Sequence, residues 1–222
     1  MNNLICISGS SGVGKSTIAN LFLEVLGKDN TIHLNGDDLH KWQRGNINWN
    51  RFTHFNPIAN NIDMGQEHIV NLLQNKHIWR SFYNHSDGIF DPPLKIEPKP
   101  FIIYDSLHAL YDYDTYKNSI LKIFVETDDE LKIEWKLSRD TNKRGYSKEQ
   151  VLESIEKRKQ DEIFFINPQR NNADAILKFT KFFGEVELNY TVETRDTLNI
   201  LPKIKEYYDN HGKKKIISGE IK

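Results

Sequence analysis

Gly9-Ser10-Ser11-Gly12-Val13-Gly14-Lys15-Ser16, followed by Thr17, is the stretch whose reading decides the fold. Its spacing is G-x-x-x-x-G-K-[ST], and each fixed position has a physical task. The glycines let the backbone wrap closely around a phosphate chain, so that several N–H groups point at the anion. Lys15 is placed to reach the terminal phosphates, and the Ser16 hydroxyl to take one position on Mg²⁺. A helix that follows adds the positive end of its dipole. The context agrees. Leu4-Ile5-Cys6-Ile7-Ser8 is an apolar run of strand length, and Ile18, Leu21, Phe22, Val25 and Leu26 recur at helical spacing before Gly27. Strand, glycine loop and helix in this order predict a nucleoside triphosphate site in a parallel α/β sheet.

Working outward, residues 31–35 read as a second strand that ends in Gly36-Asp37-Asp38-Leu39-His40. Ligands of parallel α/β sheets lie outside the carboxyl ends of the strands, so Asp37 and Asp38 are expected on the phosphate-loop side. Residues 41–57 form a long aperiodic connection, of the kind that covers a substrate. A helix is predicted over 60–73 with Ile62, Ile69, Leu72 and Leu73 inward. Residues 79–100 are interrupted by prolines, with an edge hairpin expected around Tyr83-Asn84-His85. Residues 101–105 and 121–125 supply two more buried strands, and 173–179 a fifth. Two capping boxes, Thr127 with Glu130 and Ser147 with Gln150, predict helices over 128–139 and 148–159. Between them, residues 139–146 read as a charged turn. A β pair and a helix near 201–208 complete the chain, and Lys213-Lys214-Lys215 reads as a solvated end.

The 222 residues suit one α/β domain, with no repeat and no low-complexity linker. Thirty Lys and Arg balance 31 Asp and Glu, so there is no global cationic field to hold nucleic acid. Cys6, the single cysteine, excludes an intramolecular disulfide and reads as a core residue. No apolar run approaches membrane-spanning length, and a cytoplasmic location is expected. The 8 histidines are scattered without an H-E-x-x-H or a cysteine partner, which argues against a zinc site. Trp42, Trp49, Trp79 and Trp135 suit core or cover packing better than base stacking.

Phosphoryl transfer needs held phosphates, Mg²⁺, a base for the attacking hydroxyl and cations for the equatorial oxygens. Asp37 is a candidate base, and Asp105 a candidate to organise Mg²⁺ through water or assist the acceptor. Arg139 and Arg144 are candidates to close over the phosphates. Bland alternatives stand beside them: a cap or turn for the acids, surface ion pairs for the arginines. His85, between Tyr83 and Asp87, is a candidate substrate contact. A guanine-nucleotide switch is disfavoured, because Asn142-Lys143-Arg144-Gly145 lacks the acid of N-K-x-D and no glycine follows Asp105 at the switch position.

With these residues in hand, the chain resembles the phosphoribulokinase/uridine kinase family, and more closely its phosphoribulokinase branch. The matching text includes Gly36-Asp37-Asp38-Leu39-His40, His54-Phe55-Asn56-Pro57-Ile58-Ala59-Asn60-Asn61-Ile62-Asp63, Tyr83-Asn84-His85-Ser86-Asp87-Gly88 and Asp91-Pro92-Pro93. It continues with Arg139-Asp140, Arg144-Gly145-Tyr146, Ser154-Ile155-Glu156-Lys157-Arg158-Lys159 and Asn167-Pro168-Gln169. The resemblance implies a three-layer P-loop kinase fold with a mostly parallel five-stranded core sheet, a helical lid over about 136–160 and a small C-terminal extension. Residues 1–180 are then the kinase domain, with 181–222 packed on it.

It implies ATP and Mg²⁺ as cofactors and a small hydroxylated acceptor, with no nucleic acid or membrane partner; a homodimer stays open as the assembly. Residue by residue, it implies Asp37 as base and Arg44, Tyr83, His85, Lys136 and Arg144 as acceptor contacts. Gly9 through Thr17, with Arg139 and Arg144, would bind the nucleotide; Ser16 and Asp105 would serve the metal; Lys15, Asp105 and Arg139 would assist catalysis. The role of Asp140 is left open. Asp105-Ser106-Leu107-His108 departs from the family's Glu-Gly-Leu-His, drawing the carboxylate back by about 1.5 Å. Val13 stands where the light-regulated chloroplast enzymes carry cysteine, so similar thiol control is not expected. Ribulose 5-phosphate is the favoured acceptor, with uridine or another nucleoside as the alternative. The competing non-enzyme reading is a nucleotide-binding regulator that keeps the loop without catalysis.

Overall fold

The computed structural model describes residues 2–212. The first strand, β1 (Asn3–Gly9), leads through the glycine loop into α1 (Lys15–Leu26), which ends at Gly27. Then come β2 (Thr31–Asn35), the short α2 (Ile47–Arg51) and α3 (Ile62–Leu73). The stretch interrupted by prolines forms two nested hairpin pairings. The outer joins β3 (Ile78–Arg80) to β6 (Leu94–Ile96), the inner β4 (Tyr83–Asn84) to β5 (Ile89–Phe90). The chain continues through β7 (Phe101–Asp105), α4 (Tyr113–Tyr116), β8 (Ser119–Thr127), α5 (Asp129–Arg144) and α6 (Lys148–Asp161). It closes with β9 (Ala175–Phe182), β10 (Glu185–Val192) and α7 (Leu201–Tyr207).

The main sheet has six strands in the order β10-β9-β8-β1-β7-β2, one more than expected from the sequence. Five run parallel, and β10 is the added antiparallel edge, paired from Glu185 opposite Phe182 to Val192 opposite Ala175. Alternation of side chains makes the sheet a middle layer. Ile5, Ile7, Ile103, Ile123 and Val125 meet Ile18 and Phe22 of α1 and Leu201 and Ile204 of α7. Leu4, Cys6, Ile32, Leu34, Ile102 and Tyr104 form the other core with Ile69 and Leu72 of α3. Because β1 lies between β7 and β8, the strand order reverses beside the glycine loop, the position where such sheets form a ligand crevice.

Several local expectations are corrected. The Thr127 box does not form: Thr127 Oγ1 donates to the Val13 carbonyl at 2.7 Å, and Asp128 caps α5 without a side-chain hydrogen bond. Thr127 is still the last residue of β8, so the cap position falls one residue later, on Asp128. The Ser147–Gln150 box is complete. Residues 139–144 are helical rather than a turn, because α5 runs on to Gly145, whose φ of 71° supplies the left-handed stop. In α3 the buried positions are Gly65, His68, Ile69 and Leu72. The Lys213-Lys214-Lys215 run lies outside the described residues.

Candidate active site

Gly12 (φ 90°) and Gly14 (φ 93°) take left-handed backbone conformations at the loop. A Cβ on Gly14 would stand 2.7 Å from the Phe179 ring, so space and torsion both require glycine there. Lys15 lies over the loop, its Nζ donating to the carbonyls of Gly9 (2.9 Å) and Ser10 (2.8 Å). Burial lowers its pKa, with Asp105 and Asp37 acting in opposition. Ser11, Gly12, Gly14, Lys15, Ser16 and Thr17 line one end of a cleft of about 1060 Å³. Gly9, Ser10 and Val13 do not line it. Gly9 is wedged against β8, where a Cβ would meet the Val125 carbonyl at 2.5 Å; Ser10 and Val13 are buried. Their side chains shape the loop from behind.

At the other end stand Asp37, His40, Arg44, Tyr83 and His85. Asp37 follows β2 in a short turn, its own N–H donating to Asn35 Oδ1 at 2.8 Å. Its Oδ2 lies 3.1 Å from His85 Nε2 and its Oδ1 3.9 Å from His40 Nε2. Burial favours the neutral acid, but the His85 hydrogen bond and the neighbouring His40, His85 and Arg144 outweigh it and hold the carboxyl well below its ordinary range. Asn60 donates its amide to the carbonyls of His54 and Asn56, which leaves its Oδ1 to accept from His40 Nδ1 at 3.1 Å. His40 Nε2 is thereby turned towards Asp37.

The hairpin that carries Tyr83 is held by a buried network that sequence reading missed. Asp38 accepts the Tyr83 N–H at 2.8 Å and pairs with Arg80 Nε at 3.3 Å. Arg80 also contacts His68 Nδ1 at 3.0 Å and donates to the Asn35 carbonyl. Arg80 follows Ile78 by two in β3, so alternation turns both inward, and a buried guanidinium needs partners. That alternation was the available signal. Tyr83 presents a buried hydroxyl with no hydrogen-bond partner among the described residues, and burial pushes its pKa to about 12. Arg44 donates to the carbonyls of His85 (2.8 Å) and Ser86 (3.4 Å) and lies over the Tyr146 ring.

The roof comes from α5 and α6. Arg139 donates to Asp140 Oδ1 at 2.8 Å and to Ser11 Oγ at 3.4 Å, so it joins the roof to the phosphate loop. Arg144 shares the same Asp140 oxygen at 3.5 Å. Arg158, also on the cleft, was not selected from the sequence.

Lys136 is not brought into this cleft. It is buried behind the loop beside Ser10, Ser11 and Arg158. Burial first, then the charges of Arg158 and Arg139, lower its pKa to about 7. An unfolded lysine keeps its proton to about pH 10.4, so between these values the unfolded chain binds more protons and stability rises with pH. Below that window the penalty is fully present. Lys136→Met is therefore expected to melt higher than the parent at pH 6, with the gap narrowing towards pH 10 in thermal denaturation of the ligand-free protein.

Asp105 ends β7 level with Ile7 of β1 and Asn35 of β2, at the floor of the cleft. His33, unremarked in the sequence beyond its place among scattered histidines, reaches it from β2: Nε2 is 3.3 Å from Asp105 Oδ2. Burial disfavours charge on His33, yet Asp105 beside it raises the pKa overall. Among the described residues, no group of three or more His, Cys, Asp or Glu is arranged to hold a metal. The Ser16 hydroxyl and Asp105 carboxylate, both on the cleft, are hard oxygen donors. They fit a Mg²⁺ whose shell is completed by nucleotide phosphates and water.

The model of the phosphoribulokinase/uridine kinase family matches residues 4–182. A phosphoribulokinase from Synechocystis sp. is 34% identical over 175 residues, covering 79% of this chain and 53% of that protein. The chloroplastic phosphoribulokinase of Spinacia oleracea is 30% identical over 192 residues, covering 79% of this chain and 48% of its own. The chain thus spans about half the length of these relatives. A uridine kinase from Geobacillus sp. is 29% identical, with 78% of this chain and 85% of that protein aligned. Among solved structures, the phosphoribulokinase from Rhodobacter spheroides superposes with a TM-score of 0.67 at 21% identity, over 81% of this chain and 71% of that one. That likeness concerns the fold.

Proposed function

Because this chain belongs to the phosphoribulokinase/uridine kinase family, we propose that it transfers the γ-phosphoryl group of ATP to a hydroxyl of a small sugar phosphate, with ribulose 5-phosphate as the favoured acceptor. The observation that carries the reading is a single cleft with the glycine loop at one end and the Asp37–His85 pair at the other. Residues 1–180 would form the kinase domain, with a lid over about 136–160 and residues 181–222 as its extension, in a cytoplasmic enzyme.

In this mechanism the backbone N–H groups of Gly12, Gly14, Lys15 and Ser16 hold the β- and γ-phosphates at the start of α1. Lys15 exchanges its loop carbonyls for phosphate oxygens, and Arg139 and Arg144 exchange Asp140 for the transferring group. Ser16 and Asp105 would hold Mg²⁺, which would supply neutralisation of the phosphate charge. Asp37 accepts the proton of the acceptor hydroxyl. His85 fixes the carboxylate that does so, and the unpartnered Tyr83 hydroxyl is available to an acceptor oxygen.

A phosphorylated acceptor is favoured over a neutral nucleoside because Arg44 and Arg158 add cationic groups beyond those needed for the nucleotide. Arg44→Ala is expected to raise KM for the acceptor far more than KM for ATP, and equal effects on both would count against the assignment. The function itself is tested by ADP release with ATP·Mg²⁺ and a panel of sugars, sugar phosphates and nucleosides. Phosphorylation of ribulose 5-phosphate supports the reading, and efficient use of uridine would move the acceptor to the nucleoside branch. Binding of ATP without phosphorylation of any member would favour a regulator.

A further inference from the structure

We infer that His33 is a positioning residue for Asp105, holding one carboxylate oxygen so that the other is presented to the nucleotide-bound cation; this rests on the kinase reading above. The observation is a contact between strands. His33 Nε2 and Asp105 Oδ2 stand 3.3 Å apart, and both atoms are closed off from solvent. Neither makes an aligned hydrogen bond to another group among the described residues, so each has the other as its polar neighbour. The pair has the separation of an ion pair without hydrogen-bond alignment, and both residues border the cleft with Lys15 and Ser16.

The register explains why the pair forms. Asp105 is level with Asn35, and His33 lies two residues earlier on β2, hence on the same face of the sheet. An aspartate at the strand end turns its carboxylate back towards that neighbour. A side chain longer by one methylene would carry its carboxylate about 1.5 Å further, and His33 occupies space beside it. Groups that orient a metal-linked carboxylate commonly change metal affinity or activity by about 10–100-fold when removed. The histidine at position 33 and the short acid at position 105 are thus a matched pair. Oδ1 remains for the water shell of the cation.

The test follows Mn²⁺ by electron paramagnetic resonance, as the cation bound with a non-hydrolysable ATP analogue. It needs no acceptor. His33→Ala is expected to weaken Mn²⁺ binding about tenfold or more, with little change in affinity for the metal-free analogue. His33→Gln, which keeps a polar group and guards against a folding defect, is expected to recover part of the loss. Asp105→Glu should weaken Mn²⁺ alone, and less so combined with His33→Ala, where space has been opened. Unchanged Mn²⁺ affinity in both His33 variants, or a double variant no better than the two single losses combined, would overturn the inference while leaving the kinase reading intact. Failure of the unaltered protein to bind the Mn²⁺–analogue complex would overturn both.

Discussion

Replacing Asp37 by asparagine is expected to lower kcat by about 10²–10⁴-fold while affinity for ATP is unchanged. The carboxylate borders the cleft, held by His85 at 3.1 Å, and the Asp37 backbone N–H donates to Asn35 Oδ1. Asparagine preserves size and can still accept from His85, but it cannot take the hydroxyl proton. The depressed pKa keeps Asp37 ionised through the working range, so acid loss of activity from this group is expected only below the usual carboxylate range. Single-turnover and nucleotide-binding measurements separate the two effects. Unchanged turnover would remove Asp37 from the role of base, and a parallel fall in ATP affinity would point to damage of the loop instead.

Lys15→Met is expected to cost about 10²–10³-fold in kcat, the usual loss when one preorganised electrostatic donor is removed. Methionine retains much of the chain's length and apolar stem, so the substitution removes chiefly the charge. Lys15 Nζ is held by the Gly9 and Ser10 carbonyls. Those contacts clamp the loop, and their loss should also weaken nucleotide binding. A melting curve distinguishes this from unfolding, because Gly14 against Phe179 and Val13 in the core keep their packing. A variant with normal turnover at saturating ATP would show that Lys15 serves binding alone.

Much of the fold was legible because its determinants are local. The phosphate loop needs glycine at particular left-handed torsions, and such a need leaves a short fixed spacing in the chain. The apolar runs at 4–8, 101–105 and 121–125 are buried on both faces of a parallel sheet, so they show without knowledge of their neighbours. The acid after β2 was visible for the same reason, since a parallel strand delivers its carboxyl end to the site. The sixth strand and the failed Thr127 box were less legible. Each depends on a choice between local and distant partners: β10 closes back on β9, and Thr127 stays in β8, its hydroxyl on the Val13 carbonyl, rather than capping its own helix.

The chemistry of the candidate site divides along the same line. By itself the sequence determined that a glycine loop of phosphate-binding spacing joins β1 to α1, and which acid follows β2. Only the tertiary structure decided what each charge faces. His85 came to Asp37, His33 to Asp105, and Arg80 to Asp38 across 42 positions of chain, while Lys136 was turned behind the loop. The physical reason is range. Backbone torsion and strand burial are set within a few residues, so they leave a pattern that can be read in order. A charge, once removed from water, must find an opposite partner in space, and among many charged residues nothing in their order says which one the sheet will bring within 4 Å.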